Sequence, residues 1–410
     1  MWICCQLGAR EHYSVPRALH SQNQLGLLVT DVWTEVQSIS GVLTDARSKG
    51  RFHPDLLHAN LASWNWRYRS FELSLRLRRK GWDRILARND WFQSRALSAL
   101  RTYRDTHPNQ NTVLFAYSYA ARKLFEFARQ EGWPTVLGQI DGGIGEERFV
   151  GQIQRNLSGY QTAGETVPGR YWDEWREECA LADHIVVNSD WSRNCLTGEG
   201  IDAGKLETIP LAYEPPAEAQ VFTREFPVRF TPNRPLRVLF LGQIIVRKGV
   251  TAIFEALDKL KGEPVEFRMV GPVGITLPEG IQNHPQIKWV GPVPRSHVTQ
   301  EYQRADIFLF PTFSDGFGIT QLEAQAWKLP VIASKNCGQV VRNLENGYIL
   351  PDVKPCYIVS AIRSVLENPG RLEMMSRDSC LTPSFTLDNL AARLAGLTEN
   401  TRDSVGPIQC

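Results

Sequence analysis

Long apolar runs are missing from this chain, since none approaches the roughly 18 residues that a membrane span requires. The opening residues, MWICCQLG, contain no basic segment and are too short for a secretory signal. Cysteine motifs are missing too, because the eight cysteines are scattered and none forms a C-x-x-C pair. Neither a zinc site nor a disulfide framework is therefore expected. Together these absences predict a cytoplasmic protein with reduced thiols and no bound metal.

An excess of charge of one sign is also absent. The 46 lysines and arginines nearly balance the 44 aspartates and glutamates, which leaves a net charge of +2. The field of the whole molecule therefore indicates no particular partner, and any basic patch must be local. The composition is that of an ordinary globular protein, with 42% apolar and 22% charged residues. A chain of 410 residues exceeds the usual single core, so two domains are predicted.

The most informative stretch is SDGFGITQLEAQAW, residues 314–327. It follows an apolar run, Asp306–Pro311, and its second part, Ile319–Trp327, contains good helix formers and no breaker. A strand, a glycine loop and a helix N-terminus present free backbone N–H groups, which favours a diphosphate site. Asp315 and Glu323 flank this loop, and their carboxylates can accept hydrogen bonds from sugar hydroxyls.

A second phosphate-binding pattern lies earlier in the chain. The segment LRVLFLG, Leu236–Gly242, indicates a strand, and a polar loop then leads into a predicted helix, Val250–Leu260. A glycine after a strand, with Arg247 and Lys248 just before a helix, is typical of phosphate recognition.

The spacing of Asp315 and Glu323, the strand that ends in proline before them and the LPVIAS segment after them resemble a known carboxylate signature. It is that of retaining glycosyltransferases of the GT-B fold, in particular family GT4 (glycosyl transferases group 1). The resemblance is specific from about Leu236 to Leu350 and looser before Pro210. The chain has Asp315 where the family usually has glutamate, and Gln243 where the family has an arginine.

The resemblance implies an α/β architecture, GT-B, in which two doubly wound Rossmann-like domains face a cleft. Residues 1–213 are expected to form the acceptor domain, 214–235 a proline-rich linker and 236–380 the nucleotide-sugar donor domain. Residues 381–398 are expected to form a helix that crosses back to the first domain, followed by a frayed tail, 399–410.

The resemblance also implies how the site is built. Asp315 orients the donor sugar, Glu323 holds the ribose, and the backbone at Val293 meets the nucleobase, with no metal and no other cofactor. The catalytic candidates are Asp315, Asp141 and Lys248. The donor-binding candidates are Gly8, Arg247, Lys248, Val293, Gly316, Phe317, Gly318, Ile319 and Glu323.

The first half of the chain contributes two of these candidates through their positions. Gly8 follows the predicted strand WICCQL, and Asp141 follows TVLGQI. Both lie at carboxyl ends of strands, where ligands of doubly wound sheets bind. A simple turn role is the alternative for each. Glu146 and Glu147, shortly after, are interpreted as surface charges.

Residues 64–101 are rich in arginine and tryptophan, and only Glu72, Asp83 and Asp90 oppose their positive charge. Two amphipathic helices are predicted there. One interpretation is that they lie on an anionic membrane or hold a lipid-diphosphate acceptor. The other is a solvated basic face whose aromatic residues pack inward. Nucleic acid is not expected as a partner, because no recognised binding motif accompanies the charge.

The implied reaction transfers a sugar from a nucleotide-diphosphate donor to a glycan or lipid-linked acceptor, without a metal and with retention of configuration. Lys248, Arg247 and the amides of residues 316–319 would receive the negative charge of the leaving diphosphate. Two alternatives stay open. One is a different enzyme on the same fold, such as a nucleotide-sugar epimerase or a phosphorylase, and the other is a non-catalytic sugar-nucleotide-binding protein. The expected location is the cytoplasm, with or without peripheral contact at the inner membrane face.

Overall fold

A computed structural model describes residues 1–34, 50–157, 159–160 and 166–403. Two parallel β-sheets are each covered by helices, which confirms the prediction of two doubly wound α/β units. Residues 404–410, the end of the predicted tail, lie outside the described residues.

The first sheet has seven strands, all parallel. They are β1 (Trp2–Gln6), β2 (Leu25–Thr30), β3 (Leu61–Ala62), β4 (Val113–Tyr117), β5 (Thr135–Gly138), β6 (His184–Val187) and β7 (Leu206–Thr208). Their spatial order is β3-β2-β1-β4-β5-β6-β7, so the direction of winding reverses between β1 and β4. Ligands of such sheets bind in the crevice outside the carboxyl ends of the strands at this reversal.

Helices cover both faces of the first sheet. They are α1 (Ser14–Ser21), α2 (Asn65–Arg78), α3 (Gly81–Thr106), α4 (Arg122–Gln130), α5 (Gly143–Asn156), α6 (Gly169–Leu181) and α7 (Asp190–Gly198). One face packs against α3, α4, α6 and α7 through buried residues such as Leu100, Leu124 and Trp175. We call this sheet and its helices the first lobe.

The second sheet has six parallel strands. They are β8 (Leu236–Leu241), β9 (Val265–Val270), β10 (Ile287–Gly291), β11 (Ile307–Phe310), β12 (Val331–Ser334) and β13 (Gly347–Leu350). The order β10-β9-β8-β11-β12-β13 repeats the winding of the first sheet, with its reversal between β8 and β11. The central strands IFLF and VIAS are fully buried and, apart from Ser334, apolar, as expected for a sheet covered on both faces.

The helices of the second part of the chain are α8 (Ala217–Val221), α9 (Val250–Lys259), α10 (Arg295–Arg304), α11 (Thr320–Ala326), α12 (Pro355–Glu367), α13 (Gly370–Asp378) and α14 (Leu387–Asp403). Short 3-10 turns occupy Arg10–Tyr13, Pro54–Leu56, Ala203–Lys205, Val246–Lys248 and Pro383–Phe385. We call the second sheet with α9 to α13 the second lobe. Helix α8 lies in the stretch predicted as an aperiodic linker. It forms because Ala219 packs into an apolar cluster of the second lobe, and packing of this kind stabilises short helices that have no sequence pattern.

Helix α14 belongs spatially to the first lobe. Its residues Leu390 and Leu394 are buried in the same apolar cluster as Leu19 of α1. The chain therefore crosses between the lobes twice, and the two crossings lie side by side, because the amide of Tyr213 donates a hydrogen bond of 2.9 Å to the carbonyl of Phe385. None of the described helices is long and apolar enough to span a bilayer.

A buried carboxylate holds the start of α4. Glu178 of α6 is 1% exposed and accepts hydrogen bonds from the amides of Tyr119 (2.6 Å), Ala121 (2.7 Å) and Arg122 (3.2 Å). Burial disfavours the charged form more than these bonds favour it, and it raises the pKa of Glu178 from 4.5 to about 7.

This raised pKa predicts that the free energy of unfolding depends on pH. Because the folded state holds the proton more tightly, the contribution of Glu178 is fully present below about pH 4.5 and is lost as the pH rises through about 7. Glu178→Gln cannot ionise, so we expect a weaker loss of stability between about pH 5 and about pH 8 in urea unfolding. Glu177→Gln, on the exposed side of the same helix, is the control and keeps the wild-type pH dependence. An unchanged pH dependence in Glu178→Gln contradicts the prediction.

Candidate functional site

A cleft of about 650 Å³ lies between the carboxyl ends of the two sheets. In the first lobe it reaches the loop after β1, and in the second lobe the loops after β8 and β11, so it joins the two points where the winding reverses. These are the positions at which ligands of doubly wound sheets bind. The sequence candidates that line it are Gly8, Arg247, Lys248, Asp315, Phe317, Gly318 and Ile319. Arg10, Glu11 and Gln243 line it as well.

Lys248 and Asp315 form an ion pair on the wall of this cleft, with Lys248 Nζ against Asp315 Oδ2. The two side chains are only 15% and 17% exposed. The ammonium group also lies 5.3 Å from the centre of the Phe310 ring, within the range of a cation–π interaction. The pair thus places a cation beside a carboxylate that can accept hydrogen bonds from hydroxyl groups.

The position of Lys248 depends on the glycine that follows it. Gly249 has φ +74°, and a Cβ at this position would overlap the carbonyl oxygen of Pro311, at the end of β11. Both the backbone conformation and the close approach therefore require glycine. Because the loop after β8 can lie against the end of β11, Lys248 reaches Asp315.

The loop from Gly316 to Ile319 leads into helix α11. This helix has seven residues, fewer than the predicted Ile319–Trp327. The two end residues of the predicted span, Ile319 and Trp327, are its N-cap and C-cap. A helix of less than two turns has a weak macrodipole, so anion binding here depends on the free amides themselves. Among the described residues, no hydrogen bond uses the amide nitrogens of residues 316–319.

Gly316 is not among the residues that line the cleft, but it forms a contact between the lobes. Its carbonyl accepts hydrogen bonds from the hydroxyls of Ser189 (2.6 Å) and Ser192 (3.3 Å) of the first lobe. A Cβ on Gly316 would lie 2.5 Å from the carbonyl oxygen of Ile140. This close contact between the lobes therefore requires a glycine at position 316. This contact fixes the loop that carries Asp315.

Glu323 and Val293 also lie outside the lining of the cleft. Glu323 Oε2 accepts a hydrogen bond of 2.7 Å from the hydroxyl of Tyr302, a residue of α10 that is 1% exposed. Burial, and then the nearby Glu323 carboxylate, raise the pKa of Tyr302 well above its usual value, so the hydroxyl stays protonated and donates. Val293 is half-buried and packs against the apolar cluster that contains Tyr302. Sequence reasoning missed Tyr302, because an aromatic residue on a helix usually indicates core packing.

Glu146 is buried, and its interpretation as a surface charge was wrong. Its carboxylate accepts hydrogen bonds from the amide of Gly142 (2.8 Å) and from Arg247 Nη1 (3.2 Å), which also donates to the carbonyl of Ser314 (3.1 Å). Burial and the neighbouring charge of Asp141 raise the pKa of Glu146. Arg247 therefore bridges the two lobes, and the partner that buries Glu146 lies a hundred residues away in sequence, where no local pattern could reveal it. Its neighbour in sequence, Glu147, is exposed as expected.

Asp141 is not among the residues that line the cleft. Its Oδ1 accepts hydrogen bonds from the Tyr119 hydroxyl (2.6 Å), Gln139 Nε2 (3.0 Å) and the amide of Gly143 (3.0 Å). The last of these bonds spans two residues and forms a turn just before α5, whose N-cap is Gly142. This is the turn role that the sequence left open as the alternative.

The chemistry of the cleft is that of cations, amides and carboxylates. In the part of the chain that the structure describes, no group of three or more His, Cys, Asp or Glu side chains has an arrangement that could hold a metal ion. The arrangement can bind an anion at Lys248 and at the amides of residues 317–319, which line the cleft, and hydroxyl groups at Asp315.

Comparison with known families and proteins adds two observations. Residues 221–379 match the family described as glycosyl transferases group 1. The D-inositol 3-phosphate glycosyltransferase of Kineococcus radiotolerans is 27% identical over 226 residues, which are 47% of this chain and 51% of that protein. The protein of the same name from Acidothermus cellulolyticus is 26% identical over 255 residues, 56% of each chain. The chain thus spans about half the length of the curated relatives that it matches.

Solved structures resemble the whole chain. The catalytic domain of starch synthase IV from Arabidopsis thaliana, bound to ADP and acarbose, has a TM-score of 0.64 at 10% identity and covers 98% of this chain and 99% of its own. Sucrose-phosphate synthase from Thermosynechococcus elongatus has a TM-score of 0.61 at 15% identity, with 98% and 100% covered. HepE of Anabaena, in complex with UDP, has a TM-score of 0.55 at 13% identity, with 98% of each chain covered. At these identities the likeness concerns the fold alone, and it confirms the predicted GT-B fold.

The role of Gly249 predicts a large effect of a single methyl group. In Gly249→Ala an L-residue would have to adopt left-handed backbone, and its Cβ would also overlap the carbonyl oxygen of Pro311. We therefore expect the free energy of unfolding to fall by about 3 kcal/mol or more. Gly262→Ala is the matched control, because Gly262 has φ +82° with nothing within 4 Å of an added Cβ. That variant should lose only about 1–2 kcal/mol, the usual penalty for a left-handed L-residue. Urea unfolding measures both, and equal losses would show that the overlap with Pro311 does not matter.

Proposed function

This chain carries a glycosyl transferases group 1 domain, residues 221–379, on the GT-B fold, and from this premise we propose that it is a glycosyltransferase. It moves a sugar from a nucleotide-diphosphate donor to a glycan or lipid-linked acceptor. The proposal includes independence of metal and retention of the anomeric configuration, both of which the family resemblance implies.

The observation that carries the proposal is the Lys248–Asp315 pair beside the unused amides of residues 316–319. When the anomeric bond of a donor breaks, positive charge grows on the sugar and negative charge on the leaving diphosphate. Preorganised cations and N–H donors stabilise that negative charge, which is often the largest catalytic contribution. An ammonium group has three N–H donors, so Lys248 can keep its contact with Asp315 and still bind a phosphate oxygen.

The other candidates receive roles around this pair. Arg247, held between Glu146 and Ser314, has further N–H groups for the diphosphate. Glu323, oriented by Tyr302, binds the ribose, and Val293 lies near the base. Gly8 allows close approach of the ligand on the first lobe. Asp141 supports the start of α5 from behind the cleft.

Two solved structures support a nucleotide-diphosphate donor. HepE was solved with UDP and starch synthase IV with ADP, and both ligands are the leaving groups of nucleotide-diphosphate sugars. The relatives named D-inositol 3-phosphate glycosyltransferase support a hydroxyl-bearing acceptor.

We also propose a peripheral contact between α2 and the inner face of an anionic membrane. Part of the 64–101 segment packs inward, since Trp64, Tyr68 and Phe71 surround the ring of Trp91 at 5.0–6.3 Å. In contrast, Trp66, Leu73 and Leu77 are 68%, 62% and 80% exposed. Their spacing places them on one side of the helix, with arginines interspersed along α2. An exposed apolar stripe with basic neighbours is the pattern of a helix at an anionic membrane surface.

The proposed reaction predicts which variants lose turnover. Lys248→Ala and Asp315→Asn should each lower kcat for nucleotide release by about 10²–10³-fold, the usual loss for a missing group that stabilises charge. The measurement is nucleotide release from UDP-glucose, ADP-glucose and GDP-mannose. Lys354→Ala, at an exposed lysine of the same lobe, is the control and keeps wild-type turnover. A wild-type protein that binds one of these donors and releases no nucleotide with any acceptor would support the non-catalytic alternative.

The membrane contact predicts an effect of the exposed stripe. Replacement of Trp66 and Leu77 by serine should weaken binding to phosphatidylglycerol vesicles by about ten-fold or more, because each apolar side chain contributes about 1.5–3 kcal/mol when buried. Co-sedimentation measures the binding, with phosphatidylcholine vesicles as the neutral comparison. Serine at Val228 and Met374, which are 97% and 65% exposed elsewhere, is the matched control. Equal binding of both double variants would refute the contact.

A further inference from the structure

The loop after β1 contains three consecutive non-glycine residues in left-handed backbone. Their φ angles are +49° at Glu11, +55° at His12 and +62° at Tyr13. L-residues rarely adopt this conformation, because Cβ then lies too close to the following carbonyl oxygen. Such backbone persists only where the surroundings impose it, and it concentrates at ligand sites.

Contacts on both sides hold this turn. The ring of Tyr13 is 1% exposed and lies edge-on to Trp33, with 5.3 Å between ring centres. His12 Nδ1 lies 3.0 Å from Nη1 of Arg295, a residue of the second lobe. The turn is therefore anchored in the core of the first lobe on one side and at the lobe interface on the other.

The consequence of the turn is the position of the Glu11 carboxylate. Its Oε2 accepts hydrogen bonds from the hydroxyls of Ser14 and Tyr117, both at 3.1 Å. Burial, and then Glu11 itself, raise the pKa of Tyr117 well above its usual value, so the Tyr117 hydroxyl stays a donor. Glu11 is thus fixed at the carboxyl ends of β1 and β4 and lines the cleft from the first lobe, while Lys248 and Asp315 line it from the second.

The second oxygen of this carboxylate is available to a ligand. Within the described residues, Oε1 of Glu11 accepts no hydrogen bond, although Oε2 accepts two. A carboxylate oxygen in a cleft accepts hydrogen bonds from hydroxyl groups and repels phosphate. Most groups that suit a diphosphate, namely Lys248, Arg247 and the amides of residues 317–319, belong to the second lobe, and Arg10 is the cation that lines the cleft from the first.

We infer that Glu11 is an acceptor-binding residue, whose Oε1 accepts a hydrogen bond from a hydroxyl group of a sugar or polyol acceptor. The inference rests on the proposed function, because it takes this cleft as the site of sugar transfer. It assigns the strained turn a purpose, which is to hold one hydroxyl-binding oxygen opposite the Lys248–Asp315 pair. It also makes Glu11 a residue that selects acceptors by the hydroxyl that they present.

The test separates the acceptor from the donor. Nucleotide release from UDP-glucose, ADP-glucose and GDP-mannose is measured in water alone and with myo-inositol, glucose or glycerol. We expect Glu11→Ala to raise the KM of the stimulating polyol by about ten-fold or more, as for a lost hydrogen bond to a charged group. Release into water and the KM of the nucleotide sugar should stay unchanged. Glu11→Gln, which keeps an acceptor oxygen, should raise the polyol KM less.

Two further variants keep the test decisive. Glu147→Ala, at an exposed carboxylate of the same lobe, is the matched control and leaves every KM unchanged. Tyr117→Phe keeps the ring packed against Phe115 but loses its bond to Glu11, so it should raise the polyol KM even if Glu11→Ala does not fold. An unchanged polyol KM in Glu11→Ala, or in Tyr117→Phe where Glu11→Ala does not fold, overturns the inference. So does an equal rise in the KM of the nucleotide sugar.

A wild-type protein without turnover for any of these pairs counts against the proposed function rather than against Glu11. The inference is then decided by saturation-transfer NMR of the three polyols with UDP present. Signals that the wild type gives and Glu11→Ala loses support it. Signals of equal strength in both proteins, or none from the wild type, overturn it.

Discussion

The close approach of two loops in the second lobe governs the geometry of the site. Gly249 lies against the carbonyl of Pro311, so the loop after β8 and the loop after β11 are in contact where the winding reverses. Lys248 and Asp315 are brought together by this contact, although 67 positions separate them in the chain. The Lys248–Asp315 pair shares the cleft with residues 317–319 of the same lobe and with the loop after β1 of the first lobe.

The interface between the lobes explains why several charged groups are where they are. Arg247 joins Glu146 of the first lobe to the carbonyl of Ser314, and Gly316 accepts hydrogen bonds from two serine hydroxyls near the start of α7. The loop that carries Asp315 is therefore supported from both lobes. A ligand in the cleft meets groups whose positions depend on how the lobes are placed against each other.

Much of this architecture could be predicted, because alternating strands and helices leave strong local patterns. Strands β1 and β8 begin where the sequence predicts and end one residue earlier, and a glycine and a charge after a strand are enough to indicate Lys248 and Asp315. The misses share one physical cause, which is dependence on partners distant in sequence. Glu146 has a cationic partner because Arg247 reaches it from the other lobe, and Tyr302 belongs to the site because it reaches Glu323.

The turn at Glu11 was missed for a different reason. Left-handed backbone is predicted from glycine, asparagine or aspartate, and the segment Glu-His-Tyr contains none of them. Here the tertiary contacts of Tyr13 and His12 override local preference. Conversely, Asp141 had the expected position after a strand, but its carboxylate is used within the first lobe.

The paired crossings of the chain have a mechanical consequence. Tyr213 and Phe385, one on each crossing segment, are joined by a backbone hydrogen bond, so the two covalent connections between the lobes converge on one place. Two lobes that are connected at one place can rotate about that place as a hinge, but they cannot move apart there. Rotation about this pivot would change the width of the cleft most at its far rim and least beside the pivot, so that a substrate can enter without loss of alignment between the halves.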